Sequence, residues 1–245
     1  MNPVEAYVVD RDLQIQRNSN DKRLQHAVEQ FTPHLVRTNY VKSFTWMGVP
    51  IIQYPTDMMA IQELIYDIKP DLIIETGIAF GGSLLFYASI LETLQHGRVL
   101  GIDIDPREHN VDRIENSSMG HRISHIKGSS VESRTVTKVY DFMYRYKCNS
   151  VMVILDSHHT HEHVLQELGL YSPPVSVGSY LIVMDSAIEF FGHLDKNQDR
   201  PWGKGNNPWT ATQEFLENND NFKIDKEVEQ RALITSAIDG WLRRV

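Results

Sequence analysis

Apolar residues alternate between two periods from Thr56 onward. Met58, Ile61, Leu64, Ile65 and Ile68 recur at helical spacing, with Thr56 as a candidate cap ahead of them and Pro70 just beyond. Leu72-Ile73-Ile74 is then a continuous apolar run. It gives way to Glu75-Thr76-Gly77-Ile78-Ala79-Phe80-Gly81-Gly82-Ser83, after which Leu84, Leu85, Ala88, Leu91 and Leu94 resume helical spacing. Three more runs follow: Arg98-Val99-Leu100-Gly101-Ile102 before Asp103, Val151-Met152-Val153-Ile154-Leu155 before Asp156, and Tyr180-Leu181-Ile182-Val183-Met184 before Asp185. Helical patterns at Val136, Val139, Tyr140 and Met143, and at Val164, Leu165, Leu168 and Tyr171, lie between them. Strands apolar on both faces, alternating with helices, predict a doubly wound α/β fold around a mostly parallel sheet.

Both ends depart from this alternation. Phe222-Lys223-Ile224 and Ala232-Leu233-Ile234-Thr235-Ser236-Ala237-Ile238 precede Asp239-Gly240, a strong hairpin turn, and then Trp241 to Val245, so the sheet is expected to close on an antiparallel hairpin. Composition changes near residue 55. Residues 21–36 carry a weak helical pattern, and Phe44 to Ile52 read as apolar packing material. Residues 1–55 are therefore expected to form an extension that covers the core or contacts another subunit, and residues 56–245 the main domain.

Charge and cysteine usage narrow the function. A formal net charge of -8 argues against a protein that grips a phosphate backbone, so no nucleic-acid partner is expected. A single cysteine, Cys148, allows no internal disulfide and no thiolate metal cluster. With no leader-like apolar region and no stretch long enough to span a bilayer, the expected location is cytoplasmic.

Ligands of open α/β sheets bind outside the carboxyl ends of the strands. Gly77, Gly81 and Gly82 occupy such a place, and Asp103 at the next strand end can accept hydrogen bonds from both ribose hydroxyls, which suits an adenosyl cofactor. The spacing Gly-x-x-x-Gly-Gly is not the dinucleotide fingerprint, so a dehydrogenase rests only on the general α/β pattern. Glu75 stands where it can meet the amino-acid part of S-adenosylmethionine. The plain alternative is that the glycines only make a tight strand-to-helix corner.

The segments Glu75 to Ser83, Gly101-Ile102-Asp103-Ile104-Asp105, Asp156-Ser157-His158-His159-Thr160-His161-Glu162-His163 and Arg200-Pro201-Trp202-Gly203-Lys204-Gly205-Asn206-Asn207-Pro208 resemble the rhamnosyl O-methyltransferase / cephalosporin hydroxylase family. The likeness runs from about Trp46 to the end. It implies a seven-stranded, Rossmann-like class I methyltransferase fold and S-adenosylmethionine as cofactor, with expected contacts from Glu75, Thr76, Gly77, Gly81, Gly82, Ser83, Asp103, Ser129 and Asp156. It also implies a small-molecule or glycan acceptor methylated on a sugar hydroxyl, and a homo-oligomer is expected.

In that family and the related macrolide-sugar O-methyltransferases, Mg²⁺ is held by an acid at the end of the fourth strand and a Glu-Asp pair at the end of the fifth. Asp156 and Asp185 match two of these positions, but Met184 stands where the Glu is expected and cannot ligate a hard cation. Water, Ser186 or Glu189 are the candidates to compensate. His159, three residues after Asp156, matches the family's general base, with Asp156 as metal ligand or imidazole orienter.

His158, His161, Arg200, Trp202 and Lys204 are candidate substrate contacts. His161 is expected to face inward with Leu165 and Leu168, and His163 to face solvent. The loop 200–207 reads as a lid, with Asn207 and Pro208 starting a helix. Two rival readings remain at this stage: an Fe(II) hydroxylase of the cephalosporin branch built on the histidines, and a non-catalytic cofactor-binding protein, for which Met184 is the motive.

Overall fold

Asn2 starts the first helix, α1 (Pro3–Asn20), in the computed structural model of the chain, which describes residues 2–196 and 199–245. Its side chain accepts from the amides of Val4 and Glu5, and Glu5 reaches back to the Asn2 amide in a capping box. α1 buries no residue of its own, so it carries no apolar stripe to betray it. Asp21 caps α2 (Lys22–Arg37), and a 3-10 turn at Tyr40–Lys42 follows. Phe44 to Ile52 form a hairpin, β1 (Phe44–Trp46) with β2 (Val49–Ile51). Met47 and Gly48 both have positive φ there, as a two-residue hairpin turn demands.

α3 (Pro55–Ile68) starts one residue before the expected cap. Tyr54 is its N-cap and Pro55 its first residue, while the Thr56 hydroxyl donates to the carbonyl of Ile234. The alternating body then runs β3 (Leu72–Thr76), α4 (Gly82–Thr93), β4 (Arg98–Asp103), α5 (Glu108–Glu115), β5 (Ile123–Lys127), α6 (Ser133–Tyr146), β6 (Val151–Leu155), α7 (His161–Tyr171) and β7 (Tyr180–Val183). The short α8 (Ile188–Phe191), α9 (Pro208–Glu217), β8 (Phe222–Ile224), α10 (Lys226–Ala232) and β9 (Trp241–Arg244) complete the chain.

The main sheet has seven strands in the order β5-β4-β3-β6-β7-β9-β8. The first five are parallel, and β9 pairs antiparallel with both β7 and β8. Alternate residues of each central strand serve opposite faces. Ile73, Val99, Met152, Ile154 and Ile182 pack with α3 and α4, whereas Leu72, Ile74, Leu100, Val151, Val153 and Leu181 pack with α7 and α9.

The expected antiparallel closure is present, but its strands differ from the expected ones. β9 pairs with Phe222–Ile224, α10 intervenes, and residues 233–240 form no strand. Asp239-Gly240 is the turn into β9, not the tip of a tight hairpin: the Gly240 amide donates to the Ala237 carbonyl at 3.0 Å, a Cβ on Gly240 would sit 2.2 Å from the Val183 carbonyl oxygen, and the Val183 amide donates to the Gly240 carbonyl at 2.8 Å. The seventh strand is β5, an edge strand whose polar residues hid it.

Gly77 has φ +91°, and a Cβ there would sit 2.1 Å from the Asp156 carbonyl oxygen. Gly77→Ala is therefore expected to lower stability by about 2 kcal/mol or more, while Gly203→Ala, with open space around it, changes stability by less than about 0.5 kcal/mol. Urea unfolding midpoints of the two variants check this.

Candidate active site

The parallel strands deliver their acids to one edge. Between β3 and α4 the chain makes a turn whose amides are used by its neighbours: Gly77 donates to the Ile102 carbonyl at 2.7 Å, and Ile78 donates to Asp103 Oδ2 at 2.8 Å. The other Asp103 oxygen accepts from the Asp105 amide at 2.8 Å. Asp103 thus holds the turn against its own strand end while lining a cavity of about 530 Å³ with Gly77, Ile104, Ser129, Ser130 and Ser157.

Glu75 and Thr76 stand behind this surface. Glu75 is fully buried and accepts from Ser83 Oγ at 2.7 Å and from the Tyr87 hydroxyl at 2.9 Å. Burial pushes its carboxyl up to about 8. The Thr76 carbonyl and hydroxyl both accept from the Asp156 amide, at 3.0 and 3.3 Å, so Thr76 fixes where β6 ends. Gly81 and Gly82 are tightly packed as well, against Ile114 and the Pro50 carbonyl. Each glycine of the turn therefore has a packing reason, and a narrow crevice beside them is shared by Gly77, Ser83 and Asp156.

On the other side of Asp156 and Ser157 lies a larger cavity of about 750 Å³. Asp156, His159 and Asp185 meet there, each offering a ligand atom within 4.8 Å of the others. His159 Nε2 lies 3.2 Å from Asp185 Oδ2, and the imidazole is 13% exposed against 43% for the acid. Asp185 adopts the left-handed region at φ 56°, which turns the chain sharply out of β7. Burial raises the Asp156 carboxyl well above its ordinary range, and the nearby charges of Asp185 and Glu75 add to the rise.

Met184 is buried in the core, 2% exposed, and cannot join this group. The two candidate substitutes are committed elsewhere. Ser186 donates to the Ile238 carbonyl at 2.6 Å, and Glu189 accepts from the Gly205 amide at 2.8 Å and from Asn207 Nδ2 at 2.6 Å. The third donor beside the two carboxylates is His159 itself.

The other histidines diverge, so no site of several imidazoles forms among the described residues. His158 faces the smaller cavity and meets Thr160 Oγ1 at 3.0 Å. His161 corrects its expectation: it points away from the site and ties α7 to α9, with Nδ1 at 2.9 Å from Thr210 and Nε2 at 3.1 Å from Glu214. His163, expected in solvent, turns inward to Ser130 Oγ at 3.1 Å, Ser157 Oγ at 3.2 Å and the buried Glu167 at 3.4 Å. The first turn of α7 thus presents its third position, not its first, to the cavity.

Trp202 stands over the centre, edge-on to His159 with 4.8 Å between ring centroids and to His158 with 5.2 Å. The loop that carries it is tied down by Asn206 Nδ2 donating to the Pro201 carbonyl at 2.9 Å, by Asn207 Nδ2 donating to the Gly203 carbonyl at 2.8 Å and by the bonds to Glu189. Arg200, Trp202 and Lys204 line the larger cavity, and so do Val36, Asn39, Val41 and Lys42 from the N-terminal segment. That contribution had no signal in the sequence, because it depends on how the end of α2 folds back.

The seven-stranded, mostly parallel sheet is that of the class I methyltransferases. The family model described as Rhamnosyl O-methyltransferase/CmcI matches residues 38–245, and the chain belongs to this family. It is an S-adenosylmethionine-dependent O-methyltransferase. The Rhamnosyl O-methyltransferase of Mycobacterium bovis (strain BCG / Pasteur 1173P2) is 30% identical over 207 residues, which cover 82% of this chain and 78% of that protein. An apo structure of CmcI matches with a TM-score of 0.59 at 18% identity, covering 83% of this chain and 77% of that one. A CmcI structure with Mg and SAM gives 0.56 at 16% identity over the same shares. No helix among the described residues is long and apolar enough to cross a membrane.

Glu75 makes stability depend on pH. Its folded pKa of about 8 lies above the ordinary 4.5, so between these values the native state holds a proton that the unfolded state has lost. Stability should therefore fall as pH rises through this window, with a slope of up to about 1.4 kcal/mol per pH unit. Glu75→Gln should lessen that slope, leaving the contributions of Asp57, which is raised to about 6, and of Asp156, which is raised well above its ordinary range. Urea unfolding from pH 5 to 8.5 on both proteins measures it.

Proposed function

We propose that the chain methylates a sugar hydroxyl on a nucleotide sugar, glycan or glycosylated metabolite, with His159 as the proton acceptor. The observation that carries this reading is the convergence of Asp156, His159 and Asp185 where a cavity lined by Asp103 and Ser129 meets a second, larger cavity across Asp156 and Ser157. The sugar follows from the name of the family; the roles of the residues follow from their placement.

Asp103, Ser129 and Ser130 would hold the adenosine of S-adenosylmethionine, with Gly77 and Ser157 at the passage between the cavities. When bound, that cofactor supplies an electrophilic methyl group on a sulfonium. The chain has to make the acceptor oxygen nucleophilic, because an alcohol holds its proton far above neutral pH. Asp185 holds His159 through Nε2, which fixes the tautomer and leaves Nδ1 as the basic nitrogen for the hydroxyl proton. Trp202 packs on the imidazole and keeps bulk water from it.

A divalent cation fits the donor set. The charge of Asp185 raises the cost of charging the buried Asp156, and a cation between the two would remove that repulsion. With Met184 in the core, this chain brings two carboxylates, Asp156 and Asp185, where the family has three acids, and His159, with Nε2 on Asp185 and Nδ1 kept for the hydroxyl proton, stands beside them as the base. A bound cation would lower the pKa of a coordinated hydroxyl.

Purified full-length protein given S-adenosylmethionine, Mg²⁺ and a panel of neutral and phosphorylated sugars should release S-adenosylhomocysteine. His159→Ala should lower kcat about 10²- to 10⁴-fold while S-adenosylhomocysteine binding is kept. Turnover equal to wild type in that variant removes His159 from the chemistry, and absence of product across the panel counts against a sugar acceptor. In a thermal-shift comparison, S-adenosylhomocysteine should stabilise the protein and NAD(H) should not.

A further inference from the structure

The larger cavity is electrically divided. Its floor is acidic, with Asp156 and Asp185, and its rim carries Lys42, Arg200 and Lys204 together with His193. The three strong cations are exposed, and the salt bridges of lysine and arginine among the described residues all lie elsewhere. One acid, Asp195, stands on the same rim. In a chain of net charge -8, a rim with three unbridged cations runs against the average of the surface.

The three arrive from separate segments, so sequence proximity does not explain the cluster. Lys42 ends the 3-10 turn Tyr40–Lys42 of the N-terminal segment. Lys204 sits with Gly205 at the tip of a two-residue turn closed by paired bonds between Gly203 and Asn206, at 3.0 Å each. Gly205, at φ +80°, permits that turn, and Glu189 anchors it. Arg200 lies with its guanidinium 4.9 Å from the centroid of the Trp202 ring, which itself packs edge-on against His159. Arg200 is thus joined to the base through one aromatic ring.

Between rim and floor the wall is apolar, with Ile52, Phe80, Ile188 and Phe191. A cavity of about 750 Å³ holds more than a lone neutral monosaccharide. We propose that the acceptor is a sugar bearing a phosphate ester, best a diphosphate, which Lys42, Arg200 and Lys204 grip while the sugar hydroxyl faces His159. Charge-assisted bonds from a guanidinium and two ammonium groups match the oxygens of a diphosphate, and the apolar wall receives the base or aglycone beyond it. This inference rests on the O-methyltransferase reading and names the acceptor class for it.

Uridine diphosphate is the probe, titrated calorimetrically into full-length protein saturated with S-adenosylhomocysteine, which fills the adenosine cavity. Wild type should bind it, and the affinity should fall about tenfold or more between 50 and 300 mM NaCl. Arg200→Ala and Lys42→Ala should each weaken binding about 5- to 10-fold. The triple variant Lys42→Glu, Arg200→Glu, Lys204→Glu should abolish it while binding S-adenosylhomocysteine within about twofold of wild type, which reports on its folding. No binding by wild type, or equal binding by a triple variant that keeps S-adenosylhomocysteine affinity, overturns the proposal.

A second arm compares a sugar 1-phosphate with its neutral methyl glycoside, both carrying the same hydroxyls. Preference for the phosphate in kcat/KM, lost in the triple variant, supports the proposal, and equal use of the two overturns it. If uridine diphosphate binds as expected and neither sugar is methylated, the anion site stands and the sugar reading is what fails.

Discussion

The site depends on one close approach of backbone to backbone. At the ends of β3 and β6 the space where Gly77 would carry a side chain is taken by the Asp156 carbonyl, 2.1 Å from the position of a Cβ. From β3 the chain passes to β4 on one side, while β6 lies on the other, so the two strands diverge in connection where they touch in space. Such a switch point opens a crevice at the carboxyl edge of a parallel sheet. Here the crevice has two chambers, and Ser157, next to Asp156, lines both. Any side chain at position 77 would drive the Asp156 backbone from the turn and shift the smaller chamber against the acidic centre.

The middle of the sheet was legible because its strands are apolar on both faces. Leu72 to Ile74, Val151 to Leu155 and Tyr180 to Val183 are continuous runs of helper-free hydrophobicity, and the structure buries all of them. Legibility fails where burial is one-sided or missing. β5, Ile-Ser-His-Ile-Lys at the sheet edge, has three polar residues among its five, and α1 buries none, although the Asn2-Pro3 and Glu5 pattern was a readable start signal. Ala232 to Ile238 misled in the opposite sense. They are apolar enough for a strand, yet the Ser236 amide and hydroxyl are spent on the buried Asp57, at 2.9 and 3.1 Å, instead of on a ladder.

Within the site, residues at strand ends were placed correctly by sequence because a strand end has one address. Asp103, Asp156 and Asp185 all reach the carboxyl edge. Residues at the start of a helix have no such single address. A rotation of about 100° per residue decides what His161 and His163 face, and that rotation is set by what α7 packs against, which is α9. His161 is drawn to Thr210 and Glu214 on α9, and His163 is left to meet Glu167 one turn further along its own helix. Glu75 and Thr76 show a further limit of reading by motif: they sit in the cofactor segment, but they position Ser83, Tyr87 and Asp156 and touch neither large cavity.

Met184 stands where the family resemblance implies an acid, and its consequence follows from alternation in a strand. Residues of β7 alternate between the faces of the sheet, and position 184 extends that strand into the core beside Ile154 and Ile182. An acid there would have to turn out of the core to reach a cation, at the cost of a buried charge. Methionine removes that cost and leaves the negative charge of the centre to Asp156 and Asp185, with His159 beside Asp185. The centre therefore carries one formal negative charge fewer than a three-acid site.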